Sequence, residues 1–292
     1  MSLIQDIQDR FSRLWISEKL IIINVLIFIL DRLLVFLFRL HPEYFIRWFE
    51  LPENFMSFIT QPWSIVTYAF FHDPQNFFHL FWNMILLYFA GRLFLTLFGP
   101  KRFITVYILG AIAGGILFLL SYNLFPVFSD IHSALVGASA AIMSVLIFIC
   151  TYTPDREVRL IFIPLRLWHI GVIFVLLDLV QLPLGNPGGH LAHLGGALFG
   201  FFYARNLRKD KDIGRWFERL IFNIIGTSYT KKTRPLKTVY KNKTATRRSD
   251  KSKTDKDRYQ RQIDEILDKI SKSGYESLSK EEKDFLFKAG KE

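Results

Sequence analysis

Apolar residues run unbroken, or nearly so, over six stretches of the chain, at about residues 18–38, 76–98, 102–123, 133–152, 160–182 and 188–206. A helix needs ~20 mostly apolar residues to cross a bilayer, so the pattern predicts six membrane spans. Ahead of the first run, Leu3, Ile4, Ile7, Phe11, Leu14 and Trp15 recur at helical spacing. They predict a short amphipathic helix over residues 1–17, lying on a membrane surface or packed on the tail. The first run does not read as a signal peptide, because acidic and basic residues mix ahead of it and no small-residue cleavage site follows. It contains Asp31-Arg32, read as a local ion pair. The connection from about 39 to 75 is long and aromatic, and Pro42, Pro52 and Pro62 divide it. It predicts short helices at the membrane interface.

After residue 206 the pattern changes. Ile213, Trp216, Phe217, Leu220, Ile221, Ile224 and Ile225 form one apolar stripe, and residues 229–258 read as disordered. Ile263, Ile266, Leu267 and Ile270 predict a helix stopped at Gly274. Ser279-x-x-Glu282 predicts a capping box opening a second helix through Phe285 and Leu286. The division expected is a surface segment over 1–17, a six-span membrane domain over 18–206, a basic linker with an amphipathic helix over 207–258, and a small helical segment over 259–292. The fold class is an all-α polytopic membrane bundle with a basic tail.

Composition sharpens the picture. Of the 292 residues 51% are hydrophobic, yet 37 are Lys or Arg and the net charge is +11. Most of the charge follows the apolar runs, so it is read as facing the cytoplasm and anionic lipid rather than nucleic acid. Arg92, Lys101, Arg102, Arg156, Arg159 and Arg166 flank the second–third and fourth–fifth connections, whereas 121–132 and 181–189 carry no Lys or Arg. The positive-inside rule then places both termini in the cytoplasm. The expected location is a cell (inner) membrane. Cys150 is the only cysteine, which excludes an internal disulfide and a cysteine metal site. No cofactor is expected.

Polar side chains converge at one depth. The second run opens with His79 and Asn83, four apart and so on one face. The fourth carries Gly137-Ala138-Ser139-Ala140, and the sixth carries His190, His193, Gly195, Gly196 and Gly200. At ~1.5 Å per residue, His79 lies about 5 Å, Ser139 about 9 Å and His193 about 8 Å inside the same membrane face. Each alone also suits a bland role: a loop contact for His79 and Asn83, a tight helix contact for the small residues. Gly196 and Gly200 form a GxxxG, a close-approach pattern that would bring His193 beside Ser139. His190, one turn nearer the loop, is read as a supporting or surface residue. Asp178 in the fifth run is a candidate acid that nothing in the sequence places against a histidine. Together these residues read as an intramembrane serine protease site.

His79-x-x-x-Asn83, Gly137-x-Ser139 and Ala192-His193-x-Gly195-Gly196, with Gln61-Pro62-Trp63 to Phe71-His72 ahead of the second run, resemble the rhomboid family of intramembrane serine proteases over about residues 40–206. The resemblance implies that Ser139 is the nucleophile and His193 its base, a dyad without a required acid. It implies that His79, Asn83 and the Ser139 amide form the oxyanion hole, and that transmembrane segments of other proteins are the substrates. Ala140 stands where the family usually has glycine, and Ser64 where many relatives have arginine after the tryptophan, which puts an anchor of the long connection in doubt. Two other readings stay open: a catalytically silent rhomboid-like protein that binds and routes membrane proteins, and a small transporter. The C-terminal helices either dock a cytoplasmic partner or have none.

Overall fold

The apolar runs fold as helices separated by short irregular pieces. The computed structural model describes residues 3–160, 163–226 and 251–289. Helices α1 (Leu3–Arg13) and α2 (Ile16–Leu37) open the chain. The long connection then folds as a 3₁₀ turn at Ile46–Trp48, strand β1 (Leu51–Pro52), α3 (Phe55–Thr60), α4 (Ser64–Thr67) and a second 3₁₀ turn at Tyr68–Phe70. Helices α5 (Phe77–Leu95) and α6 (Pro100–Leu124), strand β2 (Ala134–Leu135) and α7 (Ser139–Tyr152) follow. Strands β3 (Glu157–Leu160) and β4 (Ile163–Arg166) pair as an antiparallel hairpin that hydrophobicity alone did not predict. Helices α8 (Leu167–Gln181), α9 (Pro187–Leu207) and α10 (Arg215–Gly226) complete a first compact unit, bounded at residue 230. The second unit contains α11 (Lys251–Ser273) and α12 (Lys280–Ala289).

The first unit is an all-α membrane bundle. Three of its helices, α2, α5 and α6, are by themselves long and apolar enough to cross a membrane. Helix α7 is shorter than expected. It begins at Ser139 rather than near 133 and has 14 residues, about 21 Å at 1.5 Å per residue. The chain before it is extended, because Ala134 and Leu135 pair with Pro52 and Leu51. The bundle is apolar on both sides. Phe94, Phe103, Tyr107, Phe148 and Tyr203 are fully buried, while Phe36, Val180 and Phe202 are more than half exposed. An apolar exterior of this kind suits lipid.

Helix ends follow local chemistry. Asn76 caps α5 by accepting from the His79 amide at 3.1 Å. Pro100 opens α6, where its missing N–H costs nothing. Asn186, at φ +47, caps α9 through the Gly189 amide at 3.2 Å. The Asp31–Arg32 ion pair is not formed. Asp31 is 9% exposed, and its Oδ1 and the Arg32 Nη1 have no partner among the described residues.

The long connection is tied down although it lacks the arginine after Trp63. Trp63 Nε1 donates to the Trp48 carbonyl at 2.7 Å and Thr67 Oγ1 to the Phe49 carbonyl at 2.8 Å. Asn123 Nδ2 donates to the Glu53 carbonyl at 2.8 Å. Tyr68 crosses to α6, donating to the Ala111 carbonyl at 2.7 Å.

Helix α9 lies against both α6 and α7, and neighbouring glycines serve the two contacts. A Cβ on Gly195 would stand 2.8 Å from the Ala113 carbonyl oxygen on α6. On Gly196 it would overlap the Ala140 carbonyl, and on Gly200 the Ser144 carbonyl, both on α7. Both contacts advance by four residues in the same direction, so α7 and α9 run parallel in register.

In the second unit α11 starts at Lys251, so residues 251–258, expected to be disordered, are helical. The rest of that expected stretch, residues 229–250, lies outside the described residues. Gly274 ends the helix at φ +77. The capping box is formed: Glu282 N donates to Ser279 Oγ at 3.2 Å and Ser279 N to Glu282 Oε2 at 2.8 Å. Lys269 Nζ reaches Glu282 at 2.9 Å and joins α11 to α12.

Two stability outcomes follow from these contacts. Gly196→Ala and Gly200→Ala force a methyl against backbone that cannot rotate away, and each is expected to cost about 1–3 kcal/mol or more. Gly185→Ala, with nothing within 4 Å of the added carbon, is expected to be neutral; thermal unfolding in detergent compares the three. Ser279→Ala is expected to cost the α12 start about 1 kcal/mol, read as faster amide exchange confined to the first turn of α12.

Candidate active site

Ser139 is the first residue of α7, half-buried between Ala138 and Ala140, which are 0% and 1% exposed. No side chain caps this helix, so its first amides point out of the helix unpaired by a cap. The segment before Ser139 is held from two sides. The β1–β2 pairing fixes Ala134 and Leu135, and the Gly137 amide donates to the Tyr68 carbonyl at 3.0 Å. Gly137 takes φ +115, a conformation other residues rarely adopt. A Cβ there would also stand 2.7 Å from His79 Nε2 and 3.6 Å from Asn83 Nδ2. His79 and the buried Asn83 therefore converge on the turn that leads into Ser139.

The parallel register of α7 and α9 carries the opposite wall. Ala140 faces Gly196, so Ser139 lies one residue before the contact on α7 and His193 three residues before it on α9. Along the axis their backbones differ by ~3 Å. Ala140 replaces the family's usual glycine without obstruction because its neighbours are glycines: its carbonyl meets Gly196, and its methyl faces Gly114 on α6. Ser139 Oγ forms no hydrogen bond to any described residue, and His193 Nδ1 is engaged elsewhere.

That other partner is Asp178 on α8. Its Oδ1 lies 2.7 Å from His193 Nδ1 and 2.8 Å from His190 Nδ1. Asp178 is 6% exposed and both histidines are half-buried. Asp178, a candidate acid that the sequence placed against no histidine, thus meets two of them. The signal was present as depth: Asp178 lies three residues before the end of α8 and His190 three residues after the start of α9, across a five-residue connection. His190 is correspondingly a partner of the same carboxylate rather than a surface residue. His72, named in the sequence only as the end of the stretch before the second run, was given no role of its own. It is 3% exposed with neither ring nitrogen hydrogen-bonded to a described residue, and its ring lies 5.4 Å from that of His79. Burial, with the nearby His79, pushes it down to about 3 and keeps it neutral.

Asp178, His190 and His193 also form a group whose ligand atoms lie within 4.8 Å of one another. As placed, the two Nδ1 atoms face the carboxylate at hydrogen-bond distance.

Comparison with protein families matches the rhomboid domain to residues 60–210, just over half of the 292 residues, which includes every residue of the candidate site. A family of unknown function (DUF6576) matches residues 249–289. The presenilin-associated rhomboid-like protein, mitochondrial, of Bos taurus is 32% identical over 149 residues, covering 50% of this chain and 37% of that protein. Rhomboid protein 1, mitochondrial, of Saccharomyces cerevisiae is 30% identical over 173 residues, covering 55% and 49%. RHOMBOID-like protein 12, mitochondrial, of Arabidopsis thaliana is 26% identical over 160 residues, covering 51% and 47%. The chain spans less than half the length of these relatives. Their names overturn the expected location in a cell (inner) membrane, and the inside–outside assignment that went with it is withdrawn; a membrane protein remains. The matched domain, the bundle and the motifs agree, and the chain belongs to the rhomboid family.

Proposed function

We propose that this rhomboid is an intramembrane serine endopeptidase that cleaves transmembrane segments of other membrane proteins. The observation that carries this is the backbone contact of Ala140 with Gly196, which brings the first residue of α7 and the His193 turn of α9 to one level. Ser139 attacks the substrate carbonyl while His193 takes the hydroxyl proton and later returns it to the leaving amine. The unpaired amides at the start of α7, with His79 and Asn83 across Gly137, supply donors for the oxyanion. Water then hydrolyses the acyl-enzyme, reaching it from the end of the bundle where α5, α7 and α9 begin. An unliganded site with its serine not yet on the base is common, because such bonds tighten when substrate arrives.

Cleavage of a fluorogenic transmembrane peptide by the purified chain in liposomes tests this. Ser139→Ala and His193→Ala are each expected to lower turnover by on the order of 10⁴-fold or more, and Ser139→Ala to abolish labelling by a fluorophosphonate probe. Equal cleavage by wild type and Ser139→Ala would refute the assignment. Asn83→Ala is expected to reduce kcat by about 10²-fold if its amide serves the oxyanion, with KM little changed.

A further inference from the structure

We infer that Asp178 is the positioning carboxylate of His193, and that His190 is the second donor that holds this carboxylate in place. The inference rests on the assignment of Ser139 and His193 as nucleophile and base, and adds to that dyad two residues from α8 and α9.

A carboxylate 6% exposed in an apolar bundle is costly unless hydrogen bonds compensate it. Asp178 has two compensating partners, and both meet the same atom: Oδ1 lies 2.7 Å from His193 Nδ1 and 2.8 Å from His190 Nδ1. With Oδ1 accepting from both rings, both Nδ1 atoms carry protons. This sets the tautomer of His193 and leaves Nε2 with the lone pair that must take the Ser139 proton. The imidazolium formed in that step lies beside a negative charge. The two rings share one helix face because they are three residues apart, and they stand nearly perpendicular, at 86° with centroids 5.8 Å apart. His190 therefore fixes the oxygen without competing for the far side of the His193 ring.

The test compares kcat, KM and thermal midpoint of the full chain in liposomes. Asp178→Asn is isosteric but presents an amide; it is expected to lower kcat by about 10²–10⁴-fold with KM and midpoint unchanged. Asp178→Glu restores an acceptor and is expected to recover at least ~10-fold of that loss, a rescue that packing alone would not give. Should Asp178→Asn fail to fold, His190→Gln decides, with an expected kcat loss of ~10-fold at constant KM. An active wild type with Asp178→Asn, or in the other case His190→Gln, within about threefold of it would overturn this inference alone. A wild type that neither cleaves nor labels with the serine probe would overturn the dyad and this inference together. Wild-type cleavage abolished by EDTA and restored by zinc would also overturn it, since a metal on these Nδ1 atoms excludes their protons.

Discussion

The backbone contact between α7 and α9 is the constraint on which the site depends. In lipid, apolar helices gain little from hiding apolar surface against one another, so association rests on close packing. Gly196 and Gly200 let the backbone of α9 touch the Ala140 and Ser144 carbonyls of α7. Two such contacts, one turn apart, fix spacing and register together. Once register is fixed, the levels of Ser139 and His193 follow from the helical rise.

The rest of the site is made by elements that hold polar groups inside an apolar bundle. Gly137 bends the chain where His79 and Asn83 approach, and Tyr68 clasps that bend to α6 by accepting from Gly137 and donating to Ala111. Extended chain pinned by β1 leads into α7, so Ser139 stands at a helix start rather than within a helix. A serine deep in a helix would face packed neighbours and paired amides. At the first position its hydroxyl lies beside amides that the helix itself leaves unpaired. On the other wall, Asp178 is tolerated because two imidazoles meet it.

The opposite end of the bundle carries a different network. Arg102 binds Asp212 at 2.7 Å and Glu218 at 3.4 Å, and the Tyr203 hydroxyl donates to Asp212 at 2.7 Å. Burial pushes the Asp212 carboxyl up, but these hydrogen bonds and the arginine charge outweigh it and hold the group below its usual value. This network ties the segment after α9 back to the start of α6, far along both helices from the residues of the site.

Much of this protein was legible from its residues. The apolar runs mark the helices, because span length and hydrophobicity are local properties of the chain. Motif spacing singles out Ser139, His193, His79 and Asn83 as candidates, because helical periodicity turns spacing into shared faces. The Ser279–Glu282 cap was equally readable, since both partners lie within one turn. What tertiary structure decided involves partners distant in sequence. Strand β1 shortens α7 by pairing with Leu135 across 84 positions, from residue 51 to residue 135. The absent arginine after Trp63 is offset by hydrogen bonds from Trp63, Thr67 and Asn123 to backbone carbonyls, which no side-chain motif encodes. Asp178 joined the histidines only when α8 and α9 packed side by side. A carboxylate's partner depends on how two helices are rotated about their axes, and hydrophobic pattern alone leaves that rotation undetermined.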